Sequence, residues 1–202
     1  KSGFFVIVFF HWGYEYVRIP SPREKKIAHM SIDFGADFVV GSHPHVFQGI
    51  EQYKGKTIAY SLCNFIFHSS LFYGMAPDSN DERLFNSFIV NIDVQNDMTY
   101  SYRVYDYSLS DKGISFCDED AHRKNIEELA TISKKIVDNN YLANYYKQAY
   151  AISKQNFKIR NEYQKSSSLT LFQRLSLFRN ANIQDACNRL AGLLISTYRK
   201  HK

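Results

Sequence analysis

Two histidines, His43 and His45, stand either side of Pro44, directly after the short apolar run Phe38-Val39-Val40-Gly41 and Ser42. A residue that precedes proline is pushed out of the helical region toward extended backbone. Residues two apart on an extended segment point the same way. The pattern therefore predicts two imidazoles facing one small volume at the carboxyl end of a strand. Neutral imidazole is the commonest metal ligand, so the chemistry suggested is metal binding. A third histidine, His11, holds the equivalent place after Phe4-Phe5-Val6-Ile7-Val8-Phe9-Phe10. A lone histidine after a strand is more commonly a hydrogen-bonded structural residue. The three together carry the metal reading only if the chain between them brings them to one place.

That chain reads as a helix. Ser21-Pro22-Arg23-Glu24 has serine as N-cap, proline at the first helical position and glutamate three after the serine. Ile27, Ala28, Ile32 and Phe34 give an apolar set, and Gly35 suits the C-terminal cap. Strand, helix and strand within about forty residues predict a βαβ unit with parallel strands. Ligands bind at the carboxyl edge of such sheets, where His11, His43 and His45 would converge.

Further elements follow. Residues 57–62 read as a third strand, entered through the turn Lys54-Gly55-Lys56. Residues 68–85 read as a loop. Phe88, Val90, Ile92 and Val94, then Met98, Tyr100, Tyr102 and Val104, alternate as two antiparallel strands around Gln95-Asn96-Asp97. Lys112-Gly113 is another turn signal. From Asp118 the period becomes helical, with Ile126, Leu129, Ile132, Ile136 and Val137 at spacings of three and four. A break at Asn139-Asn140 precedes a helical run over 141–165. Ser166-Ser167-Ser168 is a second break, and 169–178 and 183–198 complete a helical tail.

Composition narrows the class. The chain has 202 residues, 45% hydrophobic and 22% charged, enough for one core plus an appendage. No apolar run approaches the roughly 18 residues needed to span a bilayer. Cys63, Cys117 and Cys187 are odd in number and widely spaced, which matches neither a disulfide framework nor a zinc knuckle. Charge is divided. Residues 1–120 hold 10 Lys and Arg against 15 Asp and Glu, a balance of −5, and residues 121–202 hold 15 against 5, a balance of +10. A basic segment suits anionic partners, although a solvated helical face explains surplus lysine as well. No nucleic-acid motif is present, so no specific nucleic-acid partner is expected. The sequence opens almost inside a strand, which points to the carboxyl-terminal part of a longer protein.

Three motifs then converge. His11-Trp12-Gly13-Tyr14-Glu15-Tyr16 resembles HWGxEY. Gly35-Ala36-Asp37 through His43-Pro44-His45-Val46 to Gln48, Glu51 and Tyr53 resembles GADxVxGxHPHVxQxxExY. Ile58-Ala59-Tyr60-Ser61-Leu62-Cys63-Asn64-Phe65 resembles IxYSLGNF. Together, in order over residues 4–67, they resemble the CapA-type capsule-synthesis, or poly-γ-glutamate capsule (PGA_cap), family, which is related to the calcineurin-like metallophosphoesterases. The resemblance implies a mixed α/β (α+β) fold, part of a metallophosphoesterase sandwich with a C-terminal helical extension. Residues 1–117 would be the C-terminal half of that domain and 118–202 the basic helical extension. His11, His43 and His45 would be metal ligands. Glu15 and Asn64 would be catalytic, Glu15 being the nearest acidic residue and equally suited to orient an imidazole or pair with an arginine. Glu51 and Ser61 would bind substrate.

The cofactor implied is divalent metal, Mn, Zn or Fe, as a two-metal site in the full-length parent. The superfamily's GD and NNH motifs have no counterpart here, so half of the ligand set is absent and the fragment alone is expected to be inactive. Cys63 stands where the family usually has glycine, and would strain or crowd the loop if that position needs a positive φ. The family implies an anionic polymer, poly-γ-glutamate or its precursor, as partner, together with other capsule-synthesis membrane proteins. It implies an extracytoplasmic or membrane-associated place in the cell envelope. The reading is the C-terminal part of a CapA-like capsule protein with a metallohydrolase-type site. The alternative is a non-catalytic polymer-binding or assembly component of the same machinery.

Overall fold

A computed structural model describes residues 3–65, 86–110 and 113–166. The expected βαβ unit is present: β1 (Ile7–His11), α1 (Pro22–Asp33) and β2 (Phe38–Ser42). Strands β1 and β2 pair in parallel, with His11 opposite Ser42. The capping box at Ser21 and Glu24 forms as read, with Pro22 in the first turn. Gly35 follows the helix at φ +108°, the left-handed conformation that ends helices and that glycine adopts without strain. Phe34 departs from expectation. It lies one residue beyond the helix, off its apolar face, and is 85% exposed.

Residues 50–53 add β3 (Ile50–Tyr53), which pairs antiparallel with β4 (Lys56–Ala59). Strand β4 is parallel to β2, giving the sheet order β1-β2-β4-β3. The predicted hairpin forms β5 (Asn86–Val94) and β6 (Tyr100–Ser110), and β7 (Gly113–Phe116) pairs beside β6. The predicted loop over 68–85 and the helical tail beyond 168 lie outside the described residues.

The two sheets pack face to face. Phe38, Val40 and Ala59 on one face of the first sheet meet Val90, Ile92, Tyr100 and Tyr102 of the second. On the opposite face, Val39 and Ile58 pack with Ala28 and Ile32 of α1. Strand β2 is thus covered on both sides, which explains its unbroken apolar run.

Helix α2 (Glu119–Val137) starts at the N-cap Asp118, whose side chain accepts from the Ala121 amide. Its Ile136 is wholly buried with the α1 cluster, and its Leu129 and Ile132 pack with Phe47, Cys63 and Phe88. Gly49 permits this approach, because a Cβ there would lie 2.6 Å from Ile136 Cδ1 and 2.8 Å from the Ser133 backbone. The Ile50 amide donates to Ser133 Oγ, and Lys25 Nζ donates to the Ile136 carbonyl. The chain divides into two compact units. The helical extension read from residue 118 is shared between them, α2 in the unit with the sheets and α3 (Tyr141–Ser166), beyond Tyr141, in the other. No helix among the described residues is long and apolar enough to cross a membrane.

Candidate functional site

The parallel pairing places His11 and the His43-Pro44-His45 turn at the carboxyl edge of β1 and β2. The ring centroids of His11 and His43 are 4.6 Å apart, and those of His43 and His45 are 5.8 Å apart. His43 therefore stands between the other two. The predicted route to this arrangement needs correction. Strand β2 ends at Ser42, and His43 and His45 have φ values of +100° and +57° rather than extended ones. A tight bend gathers the rings, not two-residue alternation along a strand.

Neighbouring contacts fix that bend. The Trp12 amide donates to the Ser42 carbonyl, and the Tyr16 amide donates to the Pro44 carbonyl. Trp12 Nε1 donates to the Tyr60 carbonyl over 3.0 Å. Gly41 lies beneath: a Cβ there would fall 1.9 Å from the Tyr60 oxygen. Tyr16, His43, His45 and Cys63 all have positive φ. Such strain in non-glycine residues gathers where a structure over-determines a functional loop. Cys63, at +72°, occupies the conformation that glycine would take freely.

The seven residues singled out from sequence are not all together. Asn64 is at the cluster: its Oδ1 accepts from His45 Nδ1 at 2.8 Å. An amide oxygen only accepts, so His45 donates from a protonated Nδ1. Ser42 Oγ lies 3.4 Å from His11 Nδ1. Glu15 is exposed and acts on His43 electrostatically. Burial lowers the His43 pKa and His11 and His45 lower it further, while Glu15 opposes them. His43 is therefore held neutral at pH 7. Burial, then Glu15, pushes the Tyr16 phenol above its ordinary range beside His45, and Tyr16 also stays neutral.

Ser61 and Glu51 have other partners. The buried Ser61 hydroxyl donates to the Val46 carbonyl and accepts from the Cys63 amide, tying the two loops of the edge together. Glu51 is buried beneath the sheet. It accepts from the Tyr60 hydroxyl at 2.6 Å, with His29 Nε2 at 3.1 Å and Lys25 Nζ at 3.5 Å. No motif pointed to the last two partners, because neither lies near Glu51 along the chain.

The imidazoles by themselves do not make the metal centre that the resemblance implies. A two-metal site commonly needs a bridging carboxylate to neutralise the ions. Among the described residues, no group of three or more His, Cys, Asp or Glu is arranged to hold a metal ion. What the cluster offers is a row of imidazoles at a sheet edge, one neutral and one with its Nδ1 proton directed to Asn64.

Comparison with known proteins agrees with the motifs. The family model described as bacterial capsule synthesis protein PGA_cap matches residues 1–69. Capsule biosynthesis protein CapA of Bacillus anthracis is 52% identical over 62 residues, 31% of this chain and 15% of that protein. PGA biosynthesis protein CapA of Bacillus subtilis (strain 168) is 48% identical over 67 residues, 33% of this chain and 18% of that protein. The chain thus spans under a fifth of the length of these relatives. The match ends at residue 69, so it contains His11, Glu15, His43, His45, Glu51, Ser61 and Asn64 and stops before β5. Over residues 1–69, then, the chain is similar to the bacterial capsule synthesis protein (PGA_cap) family.

Proposed function

We propose that this segment supplies the imidazole side of a hydrolytic or transfer site that works on a capsule polymer, poly-γ-glutamate or its precursor, at the cell envelope. The observation that carries the reading is the row His11-His43-His45 at the carboxyl edge of the parallel strands, with His45 oriented by Asn64. His43, whose pKa burial and the neighbouring imidazoles lower, can accept a proton or an electrophile at neutral pH. Glu15 supplies negative charge beside them and stabilises any positive charge they gain. The divalent metal of this reading, Mn, Zn or Fe, would draw on donors beyond those the described residues arrange.

The test is made in a capsule-forming host that carries the full-length family protein. His43→Ala is expected to cut polymer output by at least about 10-fold, as loss of a positioned site residue does. Undiminished polymer would overturn the reading. The incomplete donor set favours one further reading, a non-catalytic polymer-binding or assembly component. In that case His43→Ala would weaken polymer binding while turnover stayed at the background of a host lacking the protein.

A further inference from the structure

We propose that Tyr107, which lies outside the family match, is a positioning residue for the imidazole row and acts on His45 through Asn64. The inference rests on the reading of those imidazoles as working groups. Tyr107 sits on β6 and is 1% exposed. Its hydroxyl carries one proton and lies 2.8 Å from the Asn64 carbonyl and 2.9 Å from the Phe65 carbonyl. Its ring meets Phe65 edge-on, with centroids 6.0 Å apart. Ser87 on β5 bonds both Tyr107 and Cys63, so the antiparallel sheet grips this loop at adjoining points.

The loop needs that grip. Cys63 holds a left-handed conformation that a non-glycine residue adopts at a cost. Asn64 Nδ2 is buried with no hydrogen-bond partner among the described residues, so the side-chain amide is anchored only through Oδ1 on His45. Where Oδ1 points is therefore set by the Asn64 backbone, whose carbonyl the Tyr107 hydroxyl holds. The row of contacts runs from Tyr107 Oη to Asn64 O, then from Asn64 Oδ1 to His45 Nδ1. Its effect is to keep the His45 proton on Nδ1, toward Asn64. Residues 1–69 carry the imidazoles, and the second sheet sets the tautomer of one of them.

The experiment is nitrogen-15 NMR of the imidazoles in the 202-residue chain, at a pH where they are neutral. The wild type is expected to show His45 mainly as the Nδ1–H tautomer. Tyr107→Phe keeps the ring and removes the hydroxyl. It should shift the tautomer ratio toward Nε2–H by roughly 2- to 10-fold, the equilibrium equivalent of one ordinary hydrogen bond. Tyr102→Phe is the control, because that hydroxyl on the same strand accepts from Gln52 instead. It should leave His45 unmoved. In an Asn64→Ser background Tyr107→Phe should add nothing, since the relay is already cut. The wild type also provides a reading that needs no variant to fold: deuterating the Tyr107 hydroxyl should give isotope shifts at the Asn64 and Phe65 carbonyl carbons.

An Nε2–H tautomer in the wild type, missing isotope shifts, or an unmoved ratio in Tyr107→Phe would each overturn the proposal. So would an equal change in Tyr102→Phe or an undiminished effect in the Asn64→Ser background. Failure of the functional reading is separate: His45→Ala in the full-length family protein would then leave polymer output intact while the NMR coupling stood.

Discussion

At the scale of the residue, Gly41 shows how closely the site is built. It is buried at the end of β2, between the Tyr60 carbonyl and the Trp12 indole that donates to it. Gly41→Ala would place a methyl 2.5 Å from Trp12 Nε1 and within the radius of the Tyr60 oxygen. Both obstacles are tied to backbone, so β2 must separate from β4 locally. We expect a loss of about 3 kcal/mol or more in urea unfolding, at the upper end for overpacking. A loss below about 1 kcal/mol would mean that the strands are not so closely joined. That the imidazoles of His11, His43 and His45 come together was legible at this scale, and their conformation only partly. The pattern of positions 43–45 located the imidazoles correctly. Extended backbone was the wrong reason, because the backbone hydrogen bond from Tyr16 to Pro44 draws the segment into a bend. Cys63 was the better-read residue: the condition under which it would strain the loop, a positive φ, is met. Ser61 and Glu51 were picked out through motif membership, which does not say whether a polar group faces the site or the interior.

At the scale of the element, periodicity and caps revealed β1, α1, β2, the β5–β6 hairpin and α2. Strand β3 was missed, since its four residues Ile50–Tyr53 are too few to show a period. The docking of α2 was not legible either. It depends on Gly49, Ser133 and Ile136 meeting across more than eighty residues. A polar cluster fixes the start of this helix. Asp106 on β6 accepts from Asn125 Nδ2 at 2.7 Å and from His122 Nδ1. Burial pushes the Asp106 carboxyl up, but hydrogen bonds from Asn125, His122 and Cys117 outweigh it and hold the pKa below the ordinary range. Next to that carboxylate, burial and Asp106 push the Cys117 thiol up to about 12. A depressed carboxyl stabilises the fold above its unfolded pKa, about 3.9, and loses that contribution as pH falls through the folded value. Asp106→Asn should therefore cost about 1–3 kcal/mol at neutral pH, through the hydrogen bonds lost to Asn125 and His122 of α2. The gap from wild type should close as pH drops below about 4. A gap that stays constant down to pH 2, followed by urea unfolding, would mean that shape rather than charge explains the cost.

At the scale of the whole molecule, the acidic half carries the family match and the imidazole row, and the basic half carries none of the motifs. On the proposed reading the partner is a polyanion, which the net −5 of residues 1–120 would repel and the net +10 of residues 121–202 would attract. The second term dominates wherever the polymer can reach both, because the chain as a whole is +5. The expected outcome is that the 202-residue chain binds poly-γ-glutamate in a manner that weakens severalfold as salt rises. The range of an exposed charge falls from about 8 Å at 0.15 M to about 3 Å at 1 M. Deleting residues 167–202 removes Arg174, Arg179, Arg189, Arg199, Lys200 and Lys202 and loses only Asp185 among acids. That truncation should lower affinity at low salt and flatten the salt dependence. The unit holding the sheets should keep its own unfolding transition, since its core lies within residues 3–141. Fluorescence anisotropy with labelled polymer, at low and high salt, reads both quantities. Equal affinity of the truncated and intact chains at both salt levels would reduce the surplus charge of 167–202 to solvated surface and leave any attraction to the net +5 of residues 121–166.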